Sequence, residues 1–330
     1  MAIYHGGKMA SVAGNGKRKL SIFGNGDHMY ELMLRKLQVS WSAEDVPSDM
    51  ISTDINSRGI VVAGNQKNTV FCYDNTGKKL WQHEFIDESQ KPIFALKISD
   101  DGFVYGTRTL YAFKLNLQTG ALVWDKNIGS SPYNQGKNLV MMDGYLYVGA
   151  ISTLTKLDTN GNTVWTVKPD NYDAASMYGY DDKIYSTNSV GKMSWHDSNG
   201  NLVGSVKSLS YYGISLAVSR LGDMVVGSSQ GVLAVYNPDG SMRWKYNMGQ
   251  AATSTFAAAV RAVAVDYNGN VYAGSDAKKL YKFDKSGNLI WAVATSTLAT
   301  QGIINSIAVL GEQGLVYTDN YGSTVMLKQF

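Results

Sequence analysis

A chain of 330 residues with 44% hydrophobic and only 17% charged side chains can bury a large core, yet it holds no apolar run near the roughly 18–20 residues of a membrane helix. Its one cysteine, Cys72, excludes a disulfide-stapled fold, and a net charge of +3 excludes a strongly basic body of the kind that binds nucleic acid. Abundant Gly (34) and Tyr (21) with only five Pro describe turn-rich β structure.

Residues 1–31 form a leading arm that fits no regular element. Residues 1–43 carry six Lys and Arg against two Asp and Glu, so the positive charge of the whole chain sits at this end. Lys8 and the run Lys17, Arg18, Lys19 interrupt the 7–15-residue apolar core a secretory signal needs, which predicts synthesis in the cytoplasm without a cleaved leader. "SVAGNG" (11–16) and "SIFGNG" (21–26) echo one another, and neither Gly-Asn-Gly has the spacing of a phosphate loop. The arm is expected to dock on protein subunits of a larger assembly through Lys8, Lys17, Arg18, Lys19 and Phe23.

Residues 32–330 are expected to form one domain. "LMLRKLQVSW" (32–41) reads as a lone strand ending in Trp41 with no hairpin turn ahead of it. A repeated unit follows: "VFCYDNTGKKLW" (70–81), "LYAFKLNLQTGALVW" (110–124), "LTKLDTNGNTVW" (154–165), "MSWHDSNGNLVG" (193–204), "LAVYNPDGSMRW" (233–244) and "LYKFDKSGNLIW" (280–291). In each, a turn Gly stands four residues before the last position, and the end positions recur every 39–47 residues starting from Trp41. Each copy follows a further short strand, such as "GIVVAG" (59–64) or "NVYAGS" (270–275), and before that an alternating apolar run, such as "IFALKIS" (93–99) or "GISLAVS" (213–219). Four antiparallel strands per unit of about 40–45 residues is the period of a β-propeller blade.

The last unit, "INSIAVLGEQGLVYTDNYGSTVMLKQF" (304–330), supplies only three strands. The early strand 32–41 completes it, giving an all-β, seven-bladed propeller of four-stranded antiparallel blades whose two chain ends pair and leave no open edge at the seam. Six of the seven tryptophans (Trp41, Trp81, Trp124, Trp165, Trp244 and Trp291) share the repeat position and are expected to pack between blades. Trp195 is expected to compensate for Gly204, which stands where the fourth unit lacks its Trp.

The pattern Asp/Asn-x-x-[Thr/Asn/Ser/Asp]-Gly-x-x-x-Trp after "LYAF" or "LYKF" resembles the repeat of the pyrroloquinoline-quinone (PQQ)-like propellers over residues 34–330. That resemblance implies the fold. It does not carry over the dehydrogenase role, because the quinoproteins of this type have eight blades, a vicinal cysteine pair and a calcium-bound acidic set, none of which matches here. No cofactor, metal or catalytic residue is therefore assigned.

Other motifs have plain structural readings. "GSSQG" (227–231) matches the hydrolase nucleophile elbow but joins two strands rather than a strand and a helix. The Asp-x-x-Gly turns lack the loop-end Glu of a calcium site and serve as hairpins. His5, His28, His83 and His196 have no metal-ligand spacing. The segments between blades are expected to gather on one rim, bringing Tyr133, Tyr172, Tyr178, Tyr180, Tyr211 and Tyr212 to a surface suited to a glycan or receptor protein; the alternative is that several of them pack between blades. The functional expectation is a non-catalytic binding or structural module within a larger assembly, with a tailed-phage virion as its context; the alternatives are a cofactor- or metal-binding propeller enzyme and a cell-envelope assembly scaffold.

Overall fold

The computed structural model describes residues 4–5, 8–9, 37–44, 48–86, 91–129, 138–150, 152–168, 175–207, 212–249, 258–298, 300–311 and 314–329. Seven four-stranded antiparallel sheets form the ring. In blade one the strands run Met50–Ile55, Val61–Asn65, Thr69–Tyr73 and Lys79–Glu84, from the innermost to the outermost. Blades two to six repeat this order over 93–127, 138–167, 176–207, 213–247 and 260–294. The arm contributes a two-residue ladder, Tyr4–His5 with Lys8–Met9. The rest of the arm, with Lys17, Arg18, Lys19 and Phe23, lies outside the described residues.

Blade seven joins the chain ends. Ile304–Leu310, Gly314–Asp319 and Ser323–Gln329 are completed by Leu37–Glu44, in a register from Leu37 opposite Gln329 to Glu44 opposite Ser323. The closing strand runs three residues past Trp41, where sequence reading ended it, because Ser42, Ala43 and Glu44 continue the pairing with 323–325. The tryptophan marks the middle of an outer strand, as Trp81 does in Lys79–Glu84.

Local chemistry explains the hairpins. At the turn before the outer strand of blade one, Asp74 Oδ1 accepts the N–H groups of Thr76 (2.8 Å) and Lys78 (3.0 Å), and Gly77 takes φ +86°. The same arrangement recurs at Asp158 and Asp284. These hydrogen bonds hold the carboxyls below the ordinary aspartate value: from the Thr76 side chain at Asp74, the Asn162 N–H at Asp158 and the Asn288 side chain at Asp284. The aspartates that resembled calcium-loop fragments are thus engaged by backbone amides.

The tryptophans explain how blades stack. A Cβ on Gly77 would stand 2.6 Å from the Trp41 ring, one on Gly120 2.7 Å from Trp81, and one on Gly287 2.7 Å from Trp244. Each indole therefore lies flat on the turn glycine of the next blade. Trp81 Nε1–H also donates to the Leu117 carbonyl (2.8 Å), Trp124 to Thr159 (3.1 Å) and Trp244 to Lys285 (3.2 Å). In blade four Trp195 pairs with Gly204 and fills the space over it, while Val206 covers Gly240 of the following blade. Much of the tyrosine content is core: Tyr73, Tyr105, Tyr147, Tyr236, Tyr272 and Tyr317 are fully buried between blades.

Candidate functional site

The innermost strands of all seven blades surround a central channel of about 510 Å³. Five of them, in blades one, two, five, six and seven, carry a register shift after their first residue, which turns Ile51, Phe94, Ile214, Arg261 and Asn305 toward the channel lining. Beside these bulges a set of hydrogen bonds runs around the ring. Ser52 Oγ donates to the Ile93 carbonyl and Ser215 Oγ to Val260, both at 2.8 Å, and Asn305 Nδ2 donates to Met50 at 3.0 Å. Gly64 and Gly274 on the second strands leave room for Ile93 and Ile304 of the neighbouring blade, whose methyls would stand 2.5 Å from an added Cβ.

Charge in the channel is paired. Asp54 Oδ2 accepts the N–H of Ile98 at 2.8 Å and Oδ1 lies 3.4 Å from Lys97 Nζ; the carboxylate raises the lysine above its usual value. Arg261 at the bulge of blade six pairs with Asp276. The two cations that line the channel, Lys97 and Arg261, are thus both paired with carboxylates.

The outer circumference differs. Leu80, Val123, Val164, Val203 and Ile290 stand one residue before the repeat position in blades one to four and six, and all are 37–52% exposed. Leu122, Leu202 and Leu289 lie beside them, also exposed, and blade five exposes Met242 on its outer strand. Single exposed apolar residues are ordinary on a protein surface, but recurrence at one offset of an open outer strand is not. Each outer strand therefore offers apolar side chains together with a backbone edge.

Of the tyrosines expected on one rim, the three among the described residues are not together. Tyr212 precedes the inner strand of blade five and is 53% exposed at the predicted rim. Tyr178 and Tyr180 belong instead to the inner strand Ser176–Tyr180. Tyr178 lines the channel, and Tyr180 reaches the opposite face, where its hydroxyl donates to the Arg220 carbonyl in the first turn of blade five. The cause is that 176–180 is strand rather than connection, with Gly179 accommodating Val140 of the preceding blade. Tyr133, Tyr172 and Tyr211 lie outside the described residues.

Groups with chemical potential elsewhere are held in the core. Cys72 is fully buried, and burial pushes its thiol up to about 12, far from the thiolate a nucleophile needs. The motif serine of "GSSQG", Ser229, stands in the turn between the strands Met224–Ser228 and Val232–Tyr236, so the helix that a nucleophile elbow needs does not follow it. Among the described residues, no group of three His, Cys, Asp or Glu side chains is placed to hold a metal ion. Sequence reading missed the bulges and the hydroxyl bridges; the pair Ile-Ser at 51–52 and again at 214–215 was their signal.

Fold and repeat together define a seven-bladed β-propeller built on the PQQ-like repeat. The sequence profile of the family described as outer membrane protein assembly factor BamB matches residues 12–202 and again 107–327, and the chain belongs to that family. No curated protein matches it in sequence. Among solved structures it is similar to the WD40 β-propeller domain of Doa1, with a TM-score of 0.73 and 12% identity over 89% of this chain and 97% of that one, a likeness of fold alone.

Proposed function

We propose that this propeller is a non-catalytic interaction scaffold in a larger protein assembly, gripping partner polypeptides around its circumference. The observation that supports this is the recurrence of exposed Leu80, Val123, Val164, Val203 and Ile290 on open outer strands. An extended segment adding to such an edge gains main-chain hydrogen bonds and buries its alternate side chains on the apolar positions. The basic arm is a second means of attachment, through Lys8, Lys17, Arg18, Lys19 and Phe23.

Two settings suit such a scaffold. The description of the family favours assembly at the cell envelope. The low charge and the Gly- and Tyr-rich composition favour a tailed-phage virion. Gradient fractionation of the producing cells and of any particles they release separates the two by the fraction that holds the chain. Recovery as a free 36.0 kDa monomer in every fraction would overturn the scaffold reading. The rival enzyme reading is tested on the purified chain, in which a bound chromophore or stoichiometric calcium would replace ours.

A further inference from the structure

A second concavity, of about 480 Å³, opens at the seam between blades six and seven. Its lining is Glu44, Ser296, Thr300, Gln301, Tyr321 and Ser323. The elements that supply them come from both ends of the chain: the last residue of the closing strand, the connection out of blade six and the second hairpin turn of blade seven. Thr300 and Ser323 form a buried floor, with Glu44, Ser296 and Gln301 exposed on the walls.

Tyr321 stands at the mouth, 58% exposed. Its place is fixed from below: the buried Asp319 accepts the N–H groups of Tyr321 and Ser323, both at 3.0 Å, through Oδ1. Lys278 Nζ lies 5.5 Å from the ring centroid, adding a cation–π contact. The ring is thus held out over the cavity by its turn rather than packed into the core.

The lining is chemically selective. Four hydroxyls, of Ser296, Thr300, Tyr321 and Ser323, and a primary amide both donate and accept, a carboxylate accepts only, and the Tyr321 ring offers an aromatic face beside them. Among the described lining residues Glu44 is the only acid or base, and the cation Lys278 stands outside the lining at the Tyr321 ring. A flat apolar face next to closely spaced donors and acceptors matches a pyranose ring, with its C–H faces and its rim of neighbouring hydroxyls. The volume falls within the range of small-molecule sites. We propose that this seam cavity binds a neutral saccharide, stacked on Tyr321 and held through its hydroxyls by Glu44 and Gln301. The site stands independently of the proposed contacts at the circumference.

The test uses the full chain and saturation-transfer NMR with maltotriose, cellotriose and N,N′,N″-triacetylchitotriose. At least one is expected to receive saturation from the wild type, with affinity falling at least about tenfold in Tyr321→Ala and in Gln301→Ala. Val190→Ala, at an exposed turn of blade four, should leave binding unchanged. Both cavity side chains are exposed, so the variants should keep the wild-type thermal transition, which confirms that lost binding is local. No transfer to any of the three, or transfer that survives the Tyr321→Ala/Gln301→Ala double variant, overturns the proposal. Neither result bears on the scaffold role, which is read from fractionation.

Discussion

Replacing Gly120 by alanine places a methyl group where the structure has the indole of Trp81. Two costs follow, and the structure separates them. Gly120 sits at φ +70°, a left-handed conformation that costs an L-residue roughly 1–2 kcal/mol. The new Cβ would also stand 2.7 Å from the Trp81 ring, so the indole must slide away. That movement overpacks the blade interface, a penalty of about 1–3 kcal/mol, and strains the 2.8 Å bond from Trp81 Nε1–H to Leu117, worth about 1 kcal/mol. Gly102 supplies the control: its φ is +84°, yet nothing lies within 4 Å of an added Cβ. Gly102→Ala should therefore show the conformational cost alone, and Gly120→Ala should exceed it by about 2–4 kcal/mol. Urea unfolding followed by tryptophan fluorescence and circular dichroism measures both. Trp81→Leu in the Gly120→Ala background should restore part of the loss, since it removes the atoms that collide. Equal destabilisation of the two alanine variants, or strict additivity with Trp81→Leu, would refute the idea that indoles docked on turn glycines hold the blades together.

Three further outcomes follow from the same contacts. A chain beginning at Ser48 lacks the closing strand and leaves the Ser323–Gln329 edge open beside the buried Val325 and Leu327; it should aggregate or lose its cooperative transition, whereas a chain beginning at Glu31 should fold, as read by light scattering and circular dichroism. The turn carboxyls of Asp74, Asp158 and Asp284 titrate lower when folded than unfolded, so their contribution is complete above the unfolded value of about 3.9 and is lost as pH falls through the folded values. The urea midpoint should hold steady from pH 7 to about 5 and fall below about 4, less steeply in Asp284→Asn; a flat acid limb would count against these turns as pH-dependent supports. Cys72 should react with a maleimide at pH 7 only after unfolding, and rapid labelling of the native chain would contradict its burial.

The repeat itself was legible because its determinants are local. An aspartate that caps the backbone N–H groups of its own turn, a glycine at positive φ and a tryptophan four residues later specify a hairpin whatever the rest of the chain does, and their recurrence specifies blades. Ring closure was legible too, since the strand ending near Trp41 had no hairpin partner and 304–330 lacked a fourth strand. Alternation also tells which side chains share one face of a strand.

Alternation does not tell what that face meets. The contact of Trp81 with Gly120, the bridge from Ser52 to Ile93 and the bulges that re-aim Ile51 and Arg261 all cross blade boundaries, so only the closed ring decides them. Tyr178 and Tyr180 were misplaced for a related reason. They are two residues apart in a strand parallel to the channel, and a few residues of rise carry a side chain from the channel lining to the opposite face. The seam cavity is the furthest case: Glu44 and Tyr321 meet because a strand from one end of the chain pairs with the other, a distance in sequence that no local pattern spans.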